Sequence, residues 1–214
     1  MKDYTKQEQF WRSQFGKDYT KRNQQNPKDK DDLYIKTWGI SRSKMNEIFL
    51  NGKKIDTILE VGCNSADQLV ILQKQGYATL YGIEVQDDAV RIAKQLTDGI
   101  NIIKGSAFDL PFKDAYFDLV FTSGVLIHIH PSDLPVVMGE IHRVSRRYIW
   151  GYESYNDKLI PLDYRGNADA LWKGDYAKLY TEQFPDLELM KQKNYKFLAN
   201  ENIESMFILQ KKSS

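Results

Sequence analysis

A single cysteine, Cys63, in 214 residues leaves no internal disulfide and no cysteine-built zinc site. No apolar run approaches the roughly 20 residues of a bilayer span. The start, Met1-Lys2-Asp3-Tyr4-Thr5, lacks the apolar stretch of a signal peptide. Net charge is nearly absent as well. Lys+Arg 30 against Asp+Glu 29 leave +1, so no long-range field steers the chain toward nucleic acid or an anionic membrane. Internal repeats and low-complexity tracts are missing. These absences predict a cytoplasmic protein with no nucleic-acid and no membrane partner, and they leave its oligomeric state open. The length fits one domain, residues 1–214, large enough to bury a full core.

What is present is an alternation. Ile55–Val61, Thr79–Glu84, Ile100–Lys104, Phe117–Thr122 and Arg147–Tyr152 read as strands. Ser65–Gln75, Asp87–Thr97 and Ser132–Ser145 read as helices between them. That order predicts an α/β fold, a doubly wound, mostly parallel sheet with helices on both faces. Beyond Pro161 a helix is expected around Asp169–Gln183. Glu188–Leu198 and Glu204–Lys211 then form an antiparallel C-terminal hairpin, for seven strands in all. Ahead of the core, residues 1–52 read as a helical lid and residues 53–214 as a Rossmann-like core. Trp11, Phe15 and Tyr19 recur at i, i+4, i+8 and share a helix face. The pattern breaks at Asn26-Pro27, and a second helix is expected from Leu33 to Phe49, ending at Asn51-Gly52.

The most informative stretch is Thr57-Ile58-Leu59-Glu60-Val61-Gly62-Cys63-Asn64-Ser65-Ala66-Asp67-Gln68-Leu69. A strand, a glycine turn and a helix start in that order form a resting place for a nucleotide-like ligand. The charge around this turn narrows the ligand. A dinucleotide pyrophosphate would meet the carboxylates of Glu60 and Asp67, whereas S-adenosylmethionine, with an ammonium and a sulfonium and no phosphate, suits acidic surroundings. Ser65 is expected to cap the helix. Asn64 stands where a second glycine would be expected and tolerates left-handed backbone angles. Glu84, about 20 residues beyond the turn, is placed to accept both ribose hydroxyls, and Val85 to pack on the adenine. Ser106 and Ala107, in Gly105-Ser106-Ala107-Phe108-Asp109, supply backbone groups at the adenine edge. Asp118 is expected to anchor the fourth strand.

Taken together, ILEVGC, YGIEV, GSAFDLPF and FDLVFTSGVLIHI resemble the class I S-adenosylmethionine-dependent methyltransferases. The resemblance spans roughly residues 55–152. It implies the seven-stranded methyltransferase fold, S-adenosylmethionine as cofactor, and contacts at Glu60, Gly62, Glu84 and Ala107. On the same grounds Tyr19, Arg22, Cys63, Asn64, Ser65, Gln68, Val85, Ser106, Phe108, Thr122 and Ser123 complete the expected cofactor set. A narrower resemblance lies in Phe10–Asn23, with its Gly16, Tyr19, Arg22, Asn23 pattern, and in Leu171-Trp172-Lys173-Gly174-Asp175-Tyr176. Both are similar to methylases associated with pseudaminic acid biosynthesis. That implies a small-molecule partner, a sugar or nucleotide sugar of bacterial surface glycans; a protein or RNA substrate, or binding without catalysis, is the alternative.

The segment Thr122–Pro131 lacks the Asn or Asp followed by two prolines and an aromatic that base-directed amino methyltransferases usually carry. It offers His128 instead, which suits deprotonation of a hydroxyl or stands as a structural hydrogen-bonding residue. A metal at His128 and His130 would need Asp133 or His142 as a further ligand, and none is expected. Tyr19 and Glu153 are the other catalytic candidates. Tyr155, Tyr164 and Arg165 are candidates for substrate binding, at the sheet edge where ligands of open α/β folds sit. Glu153, Tyr155 and Arg165 equally suit loop-ordering contacts. Trp172 is expected in the core.

Overall fold

The computed structural model describes residues 4–23 and 27–212. The break expected at Asn26 lies outside them. Four helices lead: α1 (Lys6–Arg12), α2 (Gln14–Asn23), α3 (Pro27–Trp38) and α4 (Arg42–Leu50). The aromatic helix is thus two helices. Ser13 adopts an extended backbone, and its hydroxyl donates to the Phe10 carbonyl and accepts from the Phe15 N–H. The expected Leu33–Phe49 helix is also two, because Gly39 turns left-handed (φ +75°) and Ser41 caps α4 by accepting from the Lys44 N–H.

The alternating region follows the expected order: β1 (Thr57–Val61), α5 (Asp67–Lys74), β2 (Thr79–Glu84), α6 (Asp87–Leu96), β3 (Asn101–Lys104), β4 (Phe117–Ser123), α7 (Leu134–Val144) and β5 (Ser145–Ser154). A short 3-10 turn, Leu126–His128, lies between β4 and α7. Asp118 anchors β4 as expected. Fully buried, it accepts from the Asp56 and Thr57 N–H groups and pairs with Arg146.

The helix expected from Asp169 is replaced by a hairpin, β6 (Ile160–Tyr164) and β7 (Asn167–Lys173), followed by a shorter α8 (Tyr176–Gln183). Arg165 and Gly166 have φ of +56° and +79°, the two-residue turn that matches strand twist. Cross-strand pairing of Leu162 with Leu171 and Pro161 with Trp172 overrides the helix propensity of Ala168 and Ala170. Trp172 is buried. Strands β8 (Leu187–Lys196) and β9 (Ile203–Lys211) close the chain.

The main sheet runs β3-β2-β1-β4-β5-β9-β8, with β9 antiparallel to both its neighbours and the other pairs parallel. One face packs Met45, Phe49, Leu69 and Trp150, and the other packs Val137, Ile141, Tyr180 and Phe207. Strand order reverses between β1 and β4, and a crevice opens there, at the carboxyl ends of the parallel strands. No described helix is long and apolar enough to cross a membrane.

Candidate cofactor crevice and acceptor cavity

The turn after β1 uses three left-handed residues, Gly62 (φ +73°), Asn64 (φ +46°) and Ala66 (φ +65°). Gly62 is also sterically required, since a Cβ there would lie 2.6 Å from Cγ2 of Val125. Asn64 does more than tolerate the angle. Its Oδ1 accepts from the Ser65 N–H at 2.8 Å and its Nδ2 donates to Thr20 Oγ1 at 3.0 Å, which ties α2 to the turn. Ser65 is not the helix cap. Ala66 occupies that position in a left-handed conformation, and the Ser65 hydroxyl turns to Asp67 at 2.9 Å.

The two carboxylates of the turn differ. Asp67 is paired with Lys30 of α3 at 3.0 Å. Glu60 is 3% exposed and its Oε2 has no hydrogen-bond partner. Burial pushes its carboxyl well above the usual range, with Arg42 pulling the other way. A buried acceptor without a donor costs stability unless a ligand supplies one. Gln68 Oε1 is buried without a partner as well.

Glu84 closes β2. Its Oε1 accepts from the Val85 and Gln86 N–H groups at 2.8 and 2.9 Å, and its Oε2 from the Asn64 N–H at 2.9 Å. These bonds fix the carboxylate, while burial raises its pKa. Around it lies a cavity of about 140 Å³ lined by Gly62, Asn64, Val85, Ala107, Phe108 and His128 among others, with Trp11 and Tyr19 of the N-terminal helices over it. Ser106 faces an adjoining cavity, and its hydroxyl accepts from the Phe108 N–H.

His128 is 6% exposed. Its Nδ1 lies 2.7 Å from the Ala170 carbonyl, which can only accept, so Nδ1 carries the proton and Nε2 of the neutral ring is an acceptor. Burial pulls its pKa down to about 4. Trp11 packs edge-on against the ring at 4.6 Å, and Tyr164 lies 5.1 Å away. Trp11 also meets Tyr19 at 5.1 Å. Trp11 and Tyr19 of the aromatic stripe therefore roof this cavity, while Phe15 packs against Trp11 at 5.8 Å without lining it.

A second cavity of about 240 Å³ shares Tyr19, Gly62, Asn64, Ser123 and Gly124 with the first. It reaches Glu60, Cys63, Ser65 and Gln68 on one side, and Tyr34, Trp38, Tyr152, Phe197 and Glu204 on the other. The Cys63 thiol is buried, and its pKa is raised by that burial.

Several expected residues stand elsewhere. Arg22 is exposed and lines neither cavity, although it stands one turn from Tyr19 on the same helix. Thr122 is buried beneath the crevice and hydrogen-bonds Glu153. Glu153 itself accepts from the Val125 and Ile127 N–H groups at 3.2 and 3.3 Å, so it holds the loop that carries His128 and does not face either cavity. Burial pushes Glu153 up to about 7. Tyr155 donates to Asp157 at 2.6 Å, and Arg165 is exposed at the tip of the β6–β7 turn. Tyr164 lies behind His128 without lining the cavities.

The sequence reading also missed wall residues. Glu8 was recoverable, since Thr5-Lys6-Gln7-Glu8 is a capping box, with Glu8 bonded to the Thr5 N–H and lining the first cavity. Tyr34, Trp38, Phe197 and Glu204 carry no local signal, because distant segments bring them together. Among the described residues no group of three His, Cys, Asp or Glu side chains could hold a metal.

Residues 59–148 match the methyltransferase domain family. An uncharacterized methyltransferase of Synechocystis sp. is 33% identical over 89 residues, and the match covers 42% of this chain and 42% of that protein. The demethylmenaquinone methyltransferase of Staphylococcus carnosus is 22% identical over 178 residues, covering 73% of this chain and 68% of the relative. The chain thus spans less than half of the Synechocystis protein. In structure, the 1,6-didemethyltoxoflavin-N1-methyltransferase of Burkholderia thailandensis, solved with 1,6-didemethyltoxoflavin and S-adenosylhomocysteine, superposes with a TM-score of 0.70. Its identity is 14%, and the match covers 100% of this chain and 93% of that one. A Methanosarcina mazei S-adenosylmethionine-dependent methyltransferase gives 0.62 at 17% identity, over 76% and 95%. These likenesses carry the fold. The unpartnered buried Glu60 oxygen and the backbone-fixed Glu84 carboxylate fit an ammonium and a ribose. Residues 59–148 thus match a methyltransferase domain, on a fold shared with solved methyltransferases, and the crevice above them carries acceptors that suit S-adenosylmethionine.

Proposed function

We propose that the whole protein transfers a methyl group from S-adenosylmethionine to a hydroxyl or amine of a small polar molecule, a sugar or nucleotide sugar of surface-glycan biosynthesis. The observation that carries the small-molecule reading is the cover. Trp11 and Tyr19 cover the first cavity, of about 140 Å³, and Tyr19 also borders the second, of about 240 Å³, so a compact acceptor fits beneath the N-terminal helices. The sugar reading is supported by the resemblance of the Phe10–Asn23 and Leu171–Tyr176 segments to pseudaminic acid-associated methylases.

In this reading Glu84 accepts from the ribose hydroxyls, and Val85, Ala107 and Phe108 enclose the adenine. Glu60 takes the ammonium, and Gly62, Asn64 and Ser65 let the backbone approach. When bound, the cofactor supplies an electrophilic methyl group on a sulfonium. Transfer is an in-line displacement, so positioning and exclusion of water do much of the work. Trp11 and Tyr19 exclude water. His128 is held neutral with Nε2 as acceptor for a hydroxyl hydrogen, a weak base whose pKa of about 4 favours orienting the hydroxyl over holding its proton.

Incubation with S-adenosylmethionine and a panel of nucleotide sugars and free nonulosonic acids, read by mass, should show a one-methyl shift on a sugar. Methylation confined to RNA or protein, or cofactor binding with no transfer to any compound of the panel, contradicts the proposal.

A further inference from the structure

The second cavity has a half that the cofactor reading leaves unused. Tyr34 and Trp38 of α3, Tyr152 of β5 and Phe197 beyond β8 converge on it. Their rings form one connected cluster. Centroids lie 4.6 Å apart for Tyr34 and Trp38, 5.9 Å for Trp38 and Tyr152, and 4.8 Å for Trp38 and Phe197. Glu204 of β9 stands in the same wall.

Two of the lysines around this half are committed to partners, and the buried Arg42 is not neutralised by an anion among the described residues. Lys30 is paired with Asp67. Arg42 donates to the neutral Asn46 at 2.9 Å, Tyr34 at 3.2 Å and Ser123 at 3.3 Å, and leaves its Nη2 buried without a partner. Its guanidinium lies 5.6 and 4.7 Å from the Tyr34 and Tyr152 ring centroids, so those two rings already carry a cation. Lys173 donates to Asn202 at 2.6 Å. Glu204 has one oxygen engaged by the Ser154 hydroxyl at 2.7 Å and forms no ion pair among the described residues within 4.0 Å. Tyr152 OH and Trp38 Nε1 are buried with no hydrogen-bond partner, although both residues line the cavity. The Trp38 and Phe197 rings, the Glu204 carboxylate and the orphaned polar groups together make a receptor for a cation that carries hydrogen-bonding groups of its own.

We propose that this half of the cavity is the acceptor site and that it selects a sugar bearing a primary amine, bound as its ammonium by Glu204 against the Trp38 and Phe197 rings. The inference rests on the sugar reading above and narrows it from hydroxyl or amine to amine. An ammonium must lose a proton before its nitrogen can accept a methyl group. Glu204 takes that proton, leaving a neutral amine and a neutral carboxyl. Burial pushes the Glu204 carboxyl up to about 7, which matches it to this exchange. Ser123 and Gly124, shared by both cavities, put this site next to the cofactor crevice.

The test is calorimetry in the presence of saturating S-adenosylhomocysteine, with D-glucosamine and D-glucose as probes. Glucosamine should bind at least about tenfold more tightly than glucose, and Glu204→Gln should weaken glucosamine by about tenfold or more, the scale of a charged hydrogen bond. S-adenosylhomocysteine affinity should stay within about twofold, which reports that the variant is folded. The glucosamine–glucose comparison on the unaltered protein reads the same inference without any variant. Equal binding of the two sugars, or glucosamine affinity untouched by Glu204→Gln, overturns the inference. Methylation of a sugar hydroxyl at the wild-type rate in Glu204→Gln also overturns it while leaving the sugar reading intact. Glucosamine binding that depends on Glu204, with no transfer to any sugar, supports this site and removes the sugar methyltransferase reading instead.

Discussion

The two walls of the crevice are built differently. The floor, from β1 through β2, is held by backbone. The N–H groups of Asn64, Val85 and Gln86 converge on Glu84, Gly62 and Cys63 donate to the Ile83 carbonyl, and the side chains are buried. The roof, α1 and α2, is held by ring edges, by one Thr20–Asn64 hydrogen bond, and by exposed ion pairs from Arg12 to Asp87 at 3.6 Å and Lys17 to Asp88 at 3.4 Å. Elements with few buried contacts open at low free energy, and those with dense backbone bonding open only with the whole fold. In the proposed function, the rigid floor with a yielding roof is what admits a cofactor and an acceptor and then encloses them.

The largest effect expected from breaking this arrangement is chemical. If the acceptor proton goes to His128, His128→Ala should lower the transfer rate by ~10²–10⁴-fold with cofactor affinity nearly unchanged. Because burial holds this ring at about 4, its neutral form prevails at all higher pH. The dependence on this group should be flat from about pH 5 upward and fall only below about pH 4. An isolated histidine would instead show a fall below about pH 6.5, near the free imidazole value. Stopped assays over pH 4–9 separate the two. An amine deprotonated by Glu204 should show a much smaller loss in the same variant.

Next in size is the support under His128. Glu153 is raised from 4.5 to about 7 by burial. The folded state therefore keeps this proton to higher pH than the unfolded chain, so the group favours folding below about pH 4.5 and that contribution is lost as pH rises through about 7. Glu153→Gln should remove the loss, so that the variant gains on the wild type by roughly 3 kcal/mol between pH 5 and 8. Parallel thermal melts of the two proteins across that range check it, and parallel curves would mean that the carboxyl is ionised at no such cost.

A pair of glycines sharpens floor against roof. In the floor, Gly62→Ala meets both a left-handed φ and Val125, and should cost about 1–3 kcal/mol of global stability. In the roof, a Cβ at Gly16 would fall 1.7 Å from the Trp11 carbonyl oxygen. Gly16→Ala should therefore separate α1 from α2 and weaken S-adenosylhomocysteine binding, with the melting temperature less affected than in Gly62→Ala. The reverse ranking would mean that the N-terminal helices are part of the core. The smallest effect belongs to the exposed latch. Asp88→Asn should cost ~0.2–1 kcal/mol, seen as faster hydrogen exchange in residues 5–23 and no change in residues 57–84.

The same contrast explains what the sequence made legible. The floor depends on residues close in the chain, so Glu60, Gly62, Asn64, Glu84 and the strand order could be read directly. Asp118 was readable as an anchor from its place in the fourth strand, although its partners Asp56 and Thr57 are distant in the chain. The helix start at Ala66 instead of Ser65 was not, because a left-handed alanine is set by the packing of the turn. The β6–β7 hairpin was hidden by alanines that favour helix, although Arg165-Gly166 is a turn signal. The sequence pattern put Arg22 and Glu153 in the site by their position relative to motifs. Only the three-dimensional arrangement shows Arg22 facing outward and Glu153 holding a loop. The aromatic half of the second cavity joins α3, β5, the chain after β8, and β9, a juxtaposition that no local pattern encodes.

The most direct test of the cofactor crevice is calorimetry of S-adenosylhomocysteine and of NAD on the wild type and on Glu84→Ala. The wild type should bind S-adenosylhomocysteine and not NAD, and Glu84→Ala should lose ~1.5–3 kcal/mol of that affinity, the scale of hydrogen bonds to a charged group. Binding of NAD without S-adenosylhomocysteine, or an affinity unchanged by Glu84→Ala, would contradict the placement of the cofactor over the β1–β2 floor.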